Sequence, residues 1–283
     1  MSIKIVTDST ADLPEDLIKQ LDITIVPQLI RFGNTVFREG IDISRNEFYD
    51  KLINGGIHPS TSQPSPQQFV DAYQQVEPEA QDGILSIHLS RKLSGTYDSA
   101  LQGAKLAQIR CPLEIVDTQS ASMGLGLLVL LAAKLAKKGM SLNELAAEIR
   151  QRSKDIHLLG FFDTLKYLSA GGRIGKVKAF IGSVLNVKPL VTLREGELLP
   201  MGQVRSRTKG TQRLMEFLRE TTPEALVVIH STTPDEAGTM AKYMNSLHPG
   251  KPVIVSQFSA AVGSHTGPGT LFVGFLSQTR DRR

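Results

Sequence analysis

Apolar runs too short to be helices, separated by helix-length amphipathic segments, constrain the first half of the chain most. Residues 3–7, 83–88 and 113–117 are short, largely apolar runs that read as buried strands. Residues 14–20, 66–75, 95–109 and 120–137 carry helical periodicity between and after them. Strand, helix and strand in that order predict a parallel sheet with helices on both sides. Residues 23–31 and 35–38 flank Gly33-Asn34, a turn signal that predicts a small hairpin-like excursion. A further helix over 141–153 opens on Ser141 and Glu144, the spacing of a capping box.

The second half reads differently. Residues 187–193 and 198–204 bracket Arg194-Glu195-Gly196-Glu197, a hairpin signal that implies antiparallel pairing. Further strands are expected over 156–162, 225–230, 252–257 and 270–276, with helices over 208–220 and 235–247. The chain of 283 residues is long for one compact core, and the change of pattern near 154/155 predicts two domains, 1–154 and 155–283. The expected fold class is α/β: a three-layer α/β/α domain with a mostly parallel sheet, then a smaller two-layer α/β domain with a mixed sheet. A cleft between two such domains is a common place for a small-molecule site.

The start, Met1-Ser2-Ile3-Lys4-Ile5-Val6, reads as a strand rather than a signal segment, so a cytoplasmic location is expected. The apolar run 121–133 is shorter than the roughly 20 residues that span a bilayer and reads as a buried helix, so no stable membrane insertion is expected. Cys111 is the single cysteine, which excludes an internal disulfide and a multi-thiolate metal site. Net charge is +4, concentrated in residues 157–220, where 11 Lys and Arg face five Asp and Glu. Such a segment is either a solvated face or a surface for an acidic partner or a phosphate. No helix-turn-helix or aromatic-rich RNA motif accompanies the charge, so nucleic acid is not an expected partner.

Three hydroxyl- and glycine-rich loops carry the candidate chemistry: Thr61-Ser62-Gln63-Pro64-Ser65-Pro66, Leu93-Ser94-Gly95-Thr96-Tyr97 and Gly263-Ser264-His265-Thr266-Gly267-Pro268-Gly269. Hydroxyls, an imidazole and free backbone N–H groups at element edges can converge on one acidic head group. Pro64 and Pro66 stiffen the first loop, and Ser65 suits a helix N-cap with Pro66 at N1. Ser94 lies at the carboxyl edge of strand 83–88, where parallel sheets bind ligands, and is also a candidate N-cap. A nucleophile elbow is not formed, because Lys92 stands where its first glycine belongs. Gly171-Gly172-Arg173-Ile174-Gly175-Lys176 lacks P-loop spacing and is followed by Val177, so it suits partner docking better than ATP. Gly124 and Gly126 lie within an expected helix and lack the third glycine of a dinucleotide fingerprint.

Taken together these segments resemble the DegV family of bacterial fatty-acid-binding proteins, acyl-carrying subunits of fatty acid kinase. The likeness runs from end to end: VTDSTADLP at 6–14, TSQPSP at 61–66, LSGTYDSA at 93–100, VDTQSASMGLG at 116–126, LKYLSAGGRIGK at 165–176, GQVRSRTKG at 202–210 and SHTGPG at 264–269. The resemblance implies the two-domain fold with the lipid between the domains. It implies that Thr61 and Ser94 bind the carboxylate of a long-chain fatty acid such as palmitate or oleate, with His265 and Arg205 nearby. Ser62 and Gly267 are additional head-group candidates, and Arg205 and Arg207 compete for the role of head-group arginine. Arg173 and Lys176 become candidates for docking the catalytic subunit of the kinase. No cofactor or metal is implied beyond the lipid ligand, and no catalysis is expected of this chain alone. The apolar tail needs a lined tunnel, for which helix residues 123–133 with Phe161, Phe162, Phe180, Ile181, Val184 and Leu185 are candidates. The competing reading is a serine hydrolase or acyltransferase using Ser94 and His265.

Overall fold

The computed structural model describes residues 2–180, 187–219 and 221–278. The expected tunnel residues Ile181, Val184 and Leu185 therefore lie outside the described residues, as does the side chain of Phe180. The chain begins with β1 (Ile3–Asp8), α1 (Glu15–Leu21) and β2 (Ile23–Val26). Pro27 then interrupts what the sequence presents as one apolar run, because it supplies no N–H to a ladder. Beyond it, β3 (Leu29–Phe32) leaves the main sheet and pairs antiparallel with β4 (Thr35–Arg38). Gly33 makes the turn with φ +58°.

The first half continues with α2 (Arg45–Asn54), β5 (Ser60–Ser62) and α3 (Pro66–Val76), followed by β6 (Gly83–His88), α4 (Thr96–Leu106), β7 (Leu113–Asp117), α5 (Met123–Lys137) and α6 (Leu142–Arg152). α2, which its sequence pattern did not announce, starts on a capping box of Ser44 and Glu47 and buries Phe48, Tyr49 and Leu52. The same device opens α3 at Ser65 and Gln68 and α6 at Ser141 and Glu144. The main sheet has the order β2-β1-β6-β7, all parallel, and every residue of β6 is buried. Val6 and Ile84 face α3 and α4, whereas Ile5, Leu85 and Ile87 face α5 and α6, which makes the expected three layers.

The second half contributes β8 (Ile156–Phe161), α7 (Lys166–Ala170), β9 (Lys188–Arg194), β10 (Glu197–Val204), α8 (Arg207–Arg219), β11 (Pro223–His230), α9 (Pro234–Leu247), β12 (Val253–Gln257), α10 (Ala260–Thr266) and β13 (Leu271–Ser277). The β9–β10 hairpin turns on Glu195 and Gly196, at φ 52° and 81°, both in the region that a tight hairpin turn requires. These strands form a mixed sheet of order β10-β9-β8-β13-β11-β12. Phe161, Val228 and Val273 pack on α8 and α9, while Val227, Ile229 and Phe272 turn to the core shared with α5. The stretch from Gly263 to Thr266, expected as loop, is the end of helix α10. Its glycine is needed for closeness rather than for turning: a Cβ on Gly263 would lie 2.6 Å from the Tyr49 hydroxyl and 2.8 Å from the Phe48 ring.

α5 explains why the two sheets meet. It is apolar around its whole circumference, and all of its residues from Met123 to Ala133 are buried. A helix without a polar face must be covered on both sides, and here the parallel sheet lies on one flank and the mixed sheet on the other. Among the described residues no helix is long and apolar enough to cross a membrane. Leu128, fully buried in this helix, is accordingly expected to cost about 2–5 kcal/mol on replacement by alanine. Leu106→Ala, at a side chain 60% exposed, should change stability by no more than about 0.5 kcal/mol. Urea denaturation of the two variants decides the point, and equal losses would contradict the central place given to α5.

Candidate functional site

A cavity of about 120 Å³ opens between the carboxyl edge of the parallel sheet, the mixed sheet and α10. That is some ten times the roughly 10–15 Å³ that admits one water, so the space is far more than a single-water site. Leu89, Leu93, Leu158, Phe162, Leu193 and Phe272 give it an apolar wall. Of the expected tunnel residues only Phe162 takes that place among those described. The body of α5 is consumed by the core, and only Ala121 and Ser122 just before it reach the cavity. Phe161, one residue along β8, points to the opposite face of its sheet, under the guanidinium of Arg207.

Thr61, Ser62, Ser94 and His265 all line this one cavity, although they come from three separated segments. Thr61 is held by β5, where it sits opposite Ile30 of β3. Its Oγ1 lies 2.9 Å from Nε2 of His265, at the end of α10. Burial is the main reason that the His265 imidazole is held well below the ordinary 6.5, to about 4, with Arg173 and His58 adding positive charge nearby. The ring is thus neutral near pH 7 and can offer one N–H and one lone pair. Gly171 packs directly on it: a Cβ there would lie 2.0 Å from Nδ1. That nitrogen and Oγ1 of Thr266, another cavity residue, are buried without a hydrogen-bond partner among the described residues.

Ser94 is engaged differently. Its Oγ is 2.9 Å from Oγ1 of Thr96 and accepts the Thr96 backbone N–H at 3.3 Å. The Ser94–His265 hydrogen bond that nucleophilic catalysis would use is not formed, since the imidazole is paired with Thr61 instead.

Arg205 is not brought to this site. It is exposed near the end of β10, beyond the cavity lining. Its competitor Arg207 is also committed elsewhere, to Asp163 at 2.7 Å, Glu236 at 2.6 Å and the Gly269 carbonyl at 2.6 Å. The guanidinium that does line the cavity belongs to Arg173, which donates to the carbonyls of Leu93 at 3.1 Å and Gly171 at 2.8 Å. Lys176 is exposed and paired with Glu197 at 2.9 Å. Gly267 follows α10 at φ +73° and packs on the Tyr167 ring, outside the lining itself. Thr10, Gln28 and Gln63 also line the cavity and were not singled out in the sequence. Two aspartates flanking the end of a buried strand, Asp8 as its last residue and Asp12 beyond it, were the available signal for the first of these. Among the described residues no group of three or more His, Cys, Asp or Glu side chains could hold a metal ion.

α10 is tied down by two buried carboxyls. Asp12 accepts the Ser259 N–H at 2.8 Å and the Ser122 hydroxyl, and Glu39 accepts the Ala261 N–H at 2.9 Å and the Ser9 hydroxyl at 2.5 Å. Burial pushes Asp12 up from 3.8 to about 6 and Glu39 from 4.5 to about 7, against the opposing pull of Arg45. These groups and His265 respond to acid in opposite senses. The imidazole binds a proton near 6.5 in the unfolded chain but only near 4 in the fold, so its contribution is complete above pH 6.5 and is lost as pH falls through 4. The raised carboxyls favour the fold at low pH, a contribution lost as pH rises through about 6 and 7. To isolate the histidine, stability is compared with that of His265→Gln. The wild type is expected to lose on the order of 2–3 kcal/mol relative to the variant between pH 6.5 and 4. NMR titration of the ring checks the origin, and a midpoint near 6.5 would refute it.

Against known proteins, residues 2–278 match the family model described as "Uncharacterised protein, DegV family". A DegV domain-containing protein of Streptomyces coelicolor is 37% identical over 276 residues, covering 96% of this chain and 97% of the relative. A protein of Thermotoga maritima named fatty acid-binding protein is 33% identical over 292 residues, covering 100% of each chain. Among solved structures, one described as showing fatty acid binding by a DegV family protein from Thermus thermophilus superposes with a TM-score of 0.87. It is 36% identical and covers 98% of this chain and 100% of that one. Carried by a match along nearly its whole length, in sequence and in fold, this chain belongs to the DegV family.

Proposed function

We propose that the protein binds a long-chain fatty acid, with the carboxylate at Thr61 and Ser94 and the tail along the apolar wall. Residues 1–154 and 155–283 then act as two lobes around it. One observation carries this reading: hydroxyls and a neutral imidazole from sequence-distant segments meet at one cavity whose apolar wall is mostly Leu and Phe. A carboxylate taken out of water has to regain hydrogen bonds, and hydroxyl donors with a guanidinium nearby provide them without a catalytic group. The tail supplies most of the affinity, since each buried methylene stabilises by about 0.8 kcal/mol and a C16 chain offers on the order of 12 kcal/mol before ordering costs. The fatty acid binding named for the Thermotoga and Thermus relatives supports the same assignment. The hydrolase reading is disfavoured by the pairing of His265 with Thr61 rather than with Ser94.

The bound carboxylate is further proposed to be presented, in the cytoplasm, to an ATP-dependent fatty acid kinase subunit, the protein then carrying the acyl phosphate. A recess of about 410 Å³, rimmed by Arg91, Lys92, Arg173 and Lys176 with Glu197 as its one carboxylate, shares Leu93, Ser94, Arg173 and Leu198 with the cavity. A partner bringing a phosphoryl donor would meet that positive rim first.

Native mass spectrometry of the purified protein tests the first step. A co-purified fatty acid is expected in the wild type, with Thr61→Ala and Ser94→Ala each weakening binding about ten- to hundredfold. Unchanged dissociation constants, or covalent labelling of Ser94 by a fluorophosphonate, would count against the carrier. For the second step, Lys176→Glu should bind fatty acid as the wild type does yet support less kinase-dependent acyl phosphate formation. Equal rates would remove this rim from the docking surface.

A further inference from the structure

The Ser94 hydroxyl is the end of a buried chain of hydrogen bonds whose direction is fixed from its far end. Asp8, fully buried at the end of β1, receives five donors. On Oδ1 these are the Thr10 N–H at 3.1 Å, the Thr10 hydroxyl at 2.5 Å and Gln28 Nε2 at 3.3 Å. On Oδ2 they are His88 Nδ1 at 2.9 Å and the Leu89 N–H at 3.3 Å. Behind His88 the chain continues inward, with Nε2 at 2.7 Å from the Ser86 hydroxyl and that hydroxyl at 2.9 Å from Tyr73.

The carboxylate accepts and cannot donate, so it sets which end of the Gln28 amide faces it: the nitrogen. That same nitrogen donates to Thr96 Oγ1 at 2.9 Å. Thr96 is fully buried, and among the described residues its own hydroxyl proton has one acceptor in reach, Ser94 Oγ at 2.9 Å. A buried hydroxyl proton left without an acceptor is costly, so it goes there. Ser94 Oγ then accepts twice, from the Thr96 hydroxyl and the Thr96 N–H at 3.3 Å. Its own proton is left for the cavity.

We infer that Asp8, Gln28 and Thr96 are positioning residues that fix Ser94 as a hydrogen-bond donor and so select an anionic oxygen over a neutral head group. This rests on the fatty acid reading above. Without the relay Ser94 could turn its proton inward to Thr96 and face a carboxylate with lone pairs, which repel it. With it, the donor is set before the ligand arrives.

Binding of palmitate and of 1-hexadecanol is measured for the wild type, Thr96→Val, Thr96→Ser and Gln28→Met. Thr96→Val and Gln28→Met are expected to weaken palmitate about tenfold or more while changing 1-hexadecanol less than about threefold. Thr96→Ser, which keeps the hydroxyl, should recover palmitate binding. Adding Ser94→Ala to Thr96→Val should cost little further, because the two act as one unit. Gln28→Met leaves the Ser94 loop untouched, so it decides the matter if Thr96→Val does not fold. Palmitate binding unchanged in Gln28→Met, or acid and alcohol weakened equally, overturns the relay while leaving fatty acid binding intact. A wild type that binds no palmitate overturns both.

Discussion

Covering α5 on both sides is the constraint from which the rest of the structure follows. An all-apolar helix cannot face water, and a single sheet covers only one flank of it. The parallel and mixed sheets therefore approach the same helix from opposite directions, and their edges converge just before its first turn. The cavity forms there, where Ala121 and Ser122 enter the helix and the carboxyl edge of β6 delivers Ser94. The ligand space is thus a product of packing: two sheets sharing one helix leave a crevice at its end that helix α10 roofs.

Much of this was legible because burial writes itself into sequence. The short apolar run at 83–88, bounded by turn residues, reads as a central strand, and the longer apolar run from Met123 to Ala133 reads as a covered helix. The three hydroxyl-bearing loops could be recognised as one site, since Thr61, Ser94 and His265 do line one cavity. What stayed hidden depended on contact rather than on pattern. α2 is polar over much of its surface, and α10 is short, small-sided and followed by Gly267, so its sequence resembles a loop. Arg205 and Arg173 are equally charged, and nothing in their spacing tells which one the fold turns inward. Only the third dimension shows that Arg207 is already held by Asp163 and Glu236 and that Arg173 lies against the Leu93 carbonyl.

The chemistry at the cavity is that of a receptor built from neutral donors. An imidazole kept neutral by burial, hydroxyls that include those of Thr61 and Ser94, and the Arg173 guanidinium, already donating to backbone carbonyls, line it in place of a bidentate ion pair. For the proposed carboxylate, such a site would discriminate by hydrogen-bond direction more than by charge. On that proposal the apolar wall would supply the larger share of the free energy and the polar end would chiefly orient the ligand.

The turn after β1 links these features. Asp8 directs the hydrogen bonds that end on Ser94, and four residues later Asp12 holds the first turn of α10 and the entrance to α5. α10 in turn carries His265, whose ring lies against Gly171 in the segment that also brings Arg173 to the cavity and Lys176 to the outside. No Cβ fits between Gly171 and that ring, so the two segments cannot shift independently without breaking contact. On the docking role proposed above, a partner that moved the Gly171–Lys176 segment would press on the ring that pairs with Thr61. The outer rim and the cavity wall meet at that single contact.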